Sequence, residues 1–87
     1  MTESSRKPVA VLGCGGWGTA LAVHLANAGC PVRLWGRDEA LVRGLAENRS
    51  NSVYLPDVVL PELVNPMWSI GSAVSHAHYV VVAVPSH

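Results

Sequence analysis

Charge is scarce in this chain. Only 14% of its 87 residues are charged, and six basic side chains cancel six acidic ones. No net field therefore steers it toward nucleic acid or an acidic membrane surface. Long apolar runs are missing too. None approaches the roughly 18 residues that a membrane span needs. The opening MTESSRKP has no long apolar stretch behind its charges and is not expected to be a secretory signal. These absences predict a cytoplasmic chain whose residues 1–7 are a disordered leader. Cysteine is limited to Cys14 and Cys30, on either side of an expected helix. A helix of about 11 residues is about 16 Å long, while a disulfide needs Cα atoms within about 7 Å, so no bridge is expected. Cys14 near a helix N-terminus has two readings, a thiol of lowered pKa or a small filler. His76 and His78 lack further ligands nearby, and no metal site is expected. There is no internal repeat or low-complexity segment.

Apolar residues, by contrast, make up 49% of the chain. Eighty-seven residues make one small domain, and this excess of core over surface implies apolar faces meant to be covered by further protein. The organising stretch is VAVLGCGGWGT, from residue 9. An apolar strand, Val9-Ala10-Val11-Leu12, meets Gly13-x-Gly15-x-x-Gly18, and a helix over residues 17–28 follows. In that context the glycines form a dinucleotide-binding turn. Gly13 permits the turn off the strand, Gly15 lets backbone approach a pyrophosphate, and Gly18 allows close helix–strand packing. The phosphates would sit over the free N–H groups and positive end of the helix. Ala20, Leu21, His24, Leu25 and Ala28 recur at helical spacing and are expected to pack on the sheet, His24 as a packing residue. Gly29 is expected to take the left-handed cap, and Pro31 to prevent continuation.

Val32-Arg33-Leu34-Trp35 reads as the second strand, closed by Gly36-Arg37-Asp38 about 20 residues after the glycine motif, where such sites read the adenosine ribose. A carboxylate there accepts from the 2′-hydroxyl of NAD, and an arginine pairs with the 2′-phosphate of NADP. Asp38 also fits as N-cap of a helix over residues 39–48, whereas Arg37 has no competing local task; a surface arginine is the plain alternative. NADP or NAD is thus the expected cofactor, with NADP favoured. That helix should bury Leu41, Val42 and Leu45 and expose Arg43, Glu47 and Arg49. Residues 49–52 read as a polar loop. Pro56, Pro61 and Pro66 then predict an ordered connection, a weak third strand over residues 66–69 and a short helix over residues 72–77.

Tyr79-Val80-Val81-Val82-Ala83-Val84 is apolar without alternation, as in a parallel strand buried on both faces. Right-handed crossovers order the four strands 3-2-1-4. The predicted fold is therefore α/β, the first half of a Rossmann-type doubly wound parallel sheet. Its ligand crevice opens between the first and fourth strands, lined by the glycine turn and residues 84–87.

Four blocks, VLGCGGWGTALAVHLANAG, VRLWGRD, YLPDVVLP and VVVAVPSH, resemble the N-terminal part of bacterial-type NAD(P)-dependent glycerol-3-phosphate dehydrogenase, in order and spacing. The resemblance covers nearly the whole chain from Pro8, with residues 66–77 matching loosely. It implies interconversion of glycerol 3-phosphate and dihydroxyacetone phosphate with a nicotinamide cofactor, for phospholipid synthesis. It also implies cofactor contacts at Gly16, Trp17, Arg37 and Tyr54, beside Gly13, Gly15, Gly18 and Pro85 around the turn and crevice. Gly16 stands where many members have serine, which removes one hydroxyl and leaves the backbone N–H.

The resemblance further implies a catalytic lysine and a helical substrate domain that this sequence does not contain. Lys7 is the only lysine and precedes the first strand. No catalytic residue is assigned. Ser86 and His87 read as walls of the cofactor pocket, not as acid or base. Residues 8–87 are thus expected to be the N-terminal portion of a dinucleotide-binding domain, inactive alone and prone to self-association. The alternative is a stand-alone dinucleotide-binding or sensing module without catalysis. A related hydroxyacid or sugar-nucleotide dehydrogenase is a weaker reading, opposed by Leu34-Trp35-Gly36-Arg37-Asp38.

Overall fold

Two short apolar strands flank a small-residue helix at the centre of the computed structural model, which describes residues 8–51 and 55–83. The elements are β1 (Val9–Leu12), α1 (Gly16–Asn27), β2 (Val32–Trp35), α2 (Glu39–Asn48), β3 (Ser50–Asn51), β4 (Leu55–Val59), β5 (Val64–Met67), α3 (Ile70–Val74) and β6 (Tyr79–Val82). The main sheet has the order β5-β2-β1-β6, all parallel. Counting only its own strands, this is the expected 3-2-1-4. Val9 sits opposite Val32 and Tyr79, and Leu12 opposite Trp35 and Val82. All four strands therefore end level, and their carboxyl ends form one rim.

β1 is central. Ala10 and Val11 are both fully buried, and because neighbouring residues point to opposite faces, the strand is covered on both. One face packs Val9, Val11, Val32, Leu34 and Val64 with Ala22, Ala26, Val42 and Leu45. On the other, α3 lies against β1 and β2, with Ala73 buried.

The face of α1 differs from expectation. The buried residues are Gly18, Thr19, Ala22 and Ala26, while Leu21 and Leu25 only flank the core. Ala20, His24 and Ala28 face solvent. Close approach to the sheet selects the smallest side chains, so the Gly18-Ala22-Ala26 ridge wins over the leucines. His24 is a surface residue, not a packing one. The C-terminus of α1 follows expectation. Gly29 adopts φ 93°, its N–H reaches the Ala26 carbonyl and that of Cys30 the Leu25 carbonyl, the paired bonds of a Schellman cap.

Asp38 caps α2, its carboxylate accepting from the Leu41 N–H at 3.2 Å. Val42 and Leu45 are buried and Leu41 packs beside them; Arg43 and Glu47 are exposed. Arg49, expected in solvent, is half-buried. Its guanidinium donates to the Pro61 and Val64 carbonyls at 2.6 and 2.9 Å, anchoring the connection into β5. The expected polar loop is instead β3, antiparallel to β4 in a separate two-stranded sheet, and Asn51 within it is fully buried. The third main-sheet strand begins two residues earlier than expected, at Val64, and Pro66 lies inside it opposite Leu34. β5 is an edge strand, where a residue without an N–H is tolerated. α3 likewise starts at Ile70 rather than residue 72, capped by the Ser69 hydroxyl. Arg33 on β2 reaches across to donate to the carbonyls of Ser72, Ala73 and Ser75 at its end.

β6 departs most from the sequence reading. It occupies the other edge, and Tyr79, Val80 and Val82 are exposed, two of them above 60%. It is buried on neither face as fully as a central strand. Val84 lies outside the described residues. Among the described residues no helix is long and apolar enough to cross a membrane.

Candidate functional site

The rim at the carboxyl ends of β1, β2 and β6 gathers most of the expected site. Gly13 leaves β1 with φ 126°, a conformation that side chains disfavour. A Cβ there would lie 2.3 Å from the Ala83 carbonyl oxygen. The turn therefore presses against the end of β6, at the point where the strand order changes direction. Gly13 N–H bonds the Trp35 carbonyl at 2.8 Å, and Ala83 N–H the Leu12 carbonyl at 2.8 Å. A Cβ at Gly18 would come within 1.8 Å of the Gly13 carbonyl oxygen, so the first turn of α1 closes directly onto the loop.

Gly15 is different. A Cβ there meets nothing within 4 Å, so its hydrogen is not dictated by the fold's own packing. Gly15 is the N-cap of α1 without a side-chain cap, and no acidic residue lies in the first turn. Its carbonyl accepts the first intrahelical bond, from Thr19 N–H at 3.0 Å. The N–H groups of Gly16, Trp17 and Gly18 consequently have no carbonyl within the helix to bond. Three donors, the positive end of the helix dipole and the open space at the Gly15 Cβ position make a cradle for an anion. This fits the pyrophosphate of a dinucleotide. Trp17 projects from the same turn, 67% exposed.

Cys14 links this cradle to the ribose-reading position. Its side chain is buried, and a Cβ at Gly36 would lie 2.3 Å from the Cys14 sulfur and 2.9 Å from Val42 Cγ2. The thiol thus packs into the notch that Gly36 provides, drawing the end of β2 against the glycine loop. Burial pushes the Cys14 thiol above its usual range, outweighing a backbone hydrogen bond, and the Asp38 charge adds to the rise. Of its two readings, the filler stands. Cys30 is also a free thiol.

Arg37 and Asp38 follow Gly36, both exposed. Asp38 is engaged at the α2 cap. Arg37 forms no ion pair among the described residues, whereas Arg43 is bound to Glu39 at 2.7 Å and stacks on Trp68 with 4.9 Å to the ring centroid. Gly13, Gly15, Gly16, Trp17, Gly18 and Arg37 are therefore brought to one rim. Tyr54, Pro85, Ser86 and His87 lie outside the described residues.

Two residues of this region escaped the sequence reading. Thr19 is fully buried, and its hydroxyl donates to the Cys14 carbonyl at 3.1 Å. Asn51, also fully buried, donates from Nδ2 to that carbonyl and to the Thr19 hydroxyl, both at 2.9 Å. One asparagine in a polar run carries no periodicity; only the proximity of β3 to the loop reveals it.

Comparison with known proteins agrees with this geometry. Residues 8–87 match the family model described as NAD-dependent glycerol-3-phosphate dehydrogenase N-terminus. The chain is 48% identical over 82 residues to the glycerol-3-phosphate dehydrogenase (NAD(P)+) of Thioalkalivibrio sulfidiphilus, covering 94% of this chain and 25% of that protein. With the enzyme of the same name from Xanthomonas oryzae pv. oryzae it shares 44% identity over 87 residues, covering 100% of this chain and 25% of that one. The crystal structure of glycerol-3-phosphate dehydrogenase from Coxiella burnetii superposes with a TM-score of 0.89 at 34% identity, over 93% of this chain and 25% of that one. The Plasmodium falciparum glycerol-3-phosphate dehydrogenase structure gives a TM-score of 0.80 at 27% identity, over 95% and 26%. The chain spans about a quarter of the length of these relatives. Matched by the family model over residues 8–87, the chain belongs to the NAD-dependent glycerol-3-phosphate dehydrogenase N-terminal family.

Proposed function

We propose that this chain is the cofactor-binding part of a glycerol-3-phosphate dehydrogenase acting in the cytoplasm. Its glycine loop and the first turn of α1 hold the pyrophosphate of NADP or NAD. The observation that carries this reading is the uncapped start of α1 at Gly15, with a loop that bars a Cβ at Gly13 and Gly18 but not at Gly15. Backbone N–H groups of Gly16, Trp17 and Gly18 bind the phosphates, the indole of Trp17 walls the site, and Arg37 pairs with the 2′-phosphate of NADP. Tyr54 and Pro85 complete the contacts. Arg37 suits this task because Asp38, the neighbouring carboxylate, is committed to the α2 cap.

The nicotinamide, when bound, carries the hydride exchanged between sn-glycerol 3-phosphate and dihydroxyacetone phosphate. This chain's residues bind and orient; none is assigned to proton transfer, and the substrate phosphate is held by protein beyond this sequence. Catalysis needs both a positioned proton acceptor and a fixed substrate. The chain alone should therefore bind NADPH without turning over dihydroxyacetone phosphate. An absorbance assay of NADPH oxidation, run beside a fluorescence titration of the cofactor, tests this. Turnover by the chain alone would overturn the division of labour. Absence of binding would remove the cofactor reading.

A further inference from the structure

The Cys14 carbonyl is an unusual point in the loop, because it is held by two side chains from different parts of the sequence. Thr19 Oγ1 donates to it from the first turn of α1, five residues on. Asn51 Nδ2 donates to it from β3, 37 residues on, and also to Thr19 Oγ1. The donors and acceptors balance around this triangle. The amide uses both N–H bonds, the hydroxyl accepts one and donates one, and the carbonyl accepts through both lone pairs. Thr19 and Asn51 are the buried polar side chains of the described residues, and they converge on this one atom.

We propose that Asn51, acting with Thr19, is a positioning residue for the dinucleotide: it fixes the Cys14–Gly15 peptide plane and so aims the Gly15 N–H at the pyrophosphate. No described peptide bond is cis, and in a trans peptide the carbonyl and the following N–H point in opposite directions. Pulling the Cys14 carbonyl into the interior therefore turns the Gly15 N–H outward. A Cβ on Gly15 would also meet no protein atom within 4 Å beyond its two chain neighbours, so the loop is open there. Gly13 is wedged against Ala83 at one end of the loop, and the Gly15 carbonyl is bonded into α1 at the other. Two peptide planes, Gly13–Cys14 and Cys14–Gly15, lie between these fixed points, and the triangle sets the second. An asparagine is required, since a carboxylate at Asn51 offers no donor to either oxygen.

This inference rests on the reading that the loop binds a dinucleotide, and the test separates the two. The 87-residue chain is prepared as wild type, Asn51→Asp, Thr19→Val and Thr19→Ser. Circular dichroism checks the fold, the amide resonance of Gly15 is followed by nuclear magnetic resonance without cofactor, and NADPH affinity is measured by fluorescence. Asn51→Asp and Thr19→Val should shift and broaden the Gly15 resonance, with those of β1 and β2 unmoved, and weaken NADPH about tenfold, the factor equivalent to ~1.4 kcal/mol. Thr19→Ser keeps the hydroxyl and should restore the wild-type Gly15 resonance. If Asn51→Asp does not fold, the isosteric Thr19→Val and the hydroxyl-keeping Thr19→Ser carry the comparison. A Gly15 resonance and NADPH affinity unchanged in the folded variants would overturn the proposal. A displaced Gly15 resonance with no NADPH binding even in the wild type would support the peptide-plane role and overturn the dinucleotide reading instead.

Discussion

Arg37 and Asp38 are adjacent, yet only Asp38 is spent on a helix cap, which on the proposed reading leaves Arg37 to meet a ribose 2′-phosphate. With Asp38 at the α2 cap, Arg37→Ala should weaken NADPH binding by about 1.5–3 kcal/mol, the scale of hydrogen bonds to charged groups, and change NADH binding little. Parallel fluorescence titrations check this; equal losses would remove Arg37 as the discriminator. The missing side chain at Gly18 answers to packing. A Cβ 1.8 Å from the Gly13 carbonyl oxygen must move backbone, so Gly18→Ala should cost about 2–3 kcal/mol in urea unfolding, toward the upper end for overpacking. Cys14 gives a pH dependence. Burial raises its thiol pKa in the folded chain, so the folded state holds that proton more tightly than the unfolded one. Its contribution is therefore complete below the ordinary thiol pKa of about 8.5 and is lost as pH rises through the higher folded value. Urea midpoints of the wild type should fall more steeply at alkaline pH than those of Cys14→Ala. Parallel slopes would exclude Cys14 as the cause.

At the scale of elements, legibility followed how much each element owes to its own sequence. β1, β2, the glycine turn and α2 were readable because strand apolarity, the Gly13-x-Gly15-x-x-Gly18 spacing and the Asp38 cap are local signals. The face of α1 was not, since periodicity pointed to Leu21 and Leu25 while close approach to the sheet chose Gly18, Ala22 and Ala26. β3 lay beyond the sequence pattern, and β5 is displaced by two residues from its expected place, both for a tertiary reason. Ser50 and Asn51 are strand only because β4 pairs with them, and Pro66 is strand only because β5 lies at the edge. α3 depends on a distant residue in the same way. Arg33 gathers the carbonyls at its C-terminus, so Arg33→Ala should cost about 1–2 kcal/mol and speed amide exchange in α3 before β1 and β2. Uniform exchange across all three would show that α3 is held by other contacts. At the site, the glycine cradle was legible from spacing, but the buried pair Thr19 and Asn51 was not, because contact across 32 residues leaves no pattern in the chain.

For the whole molecule, the sheet has two unequal edges. β5 carries Pro66, which weakens further pairing, whereas β6 presents uncharged, β-branched residues with Tyr79, Val80 and Val82 exposed. In a domain of 87 residues, with the marginal stability of small cores, that edge should drive self-association of the isolated chain. Size-exclusion chromatography should show species larger than a monomer, reduced by Val80→Lys; a monomer at all concentrations would contradict this. The central claim concerns the opposite end of the architecture, where β1 turns into α1. Its most direct measurement is NADPH titration of the wild type against Gly15→Val, monitored by tryptophan fluorescence with circular dichroism as the control of fold. A valine side chain would fill the side of the loop that packing leaves free and block the approach of a pyrophosphate to the helix N-terminus. The account predicts saturable binding by the wild type and none by Gly15→Val, with superimposable spectra. Undiminished binding by a folded Gly15→Val chain would contradict it.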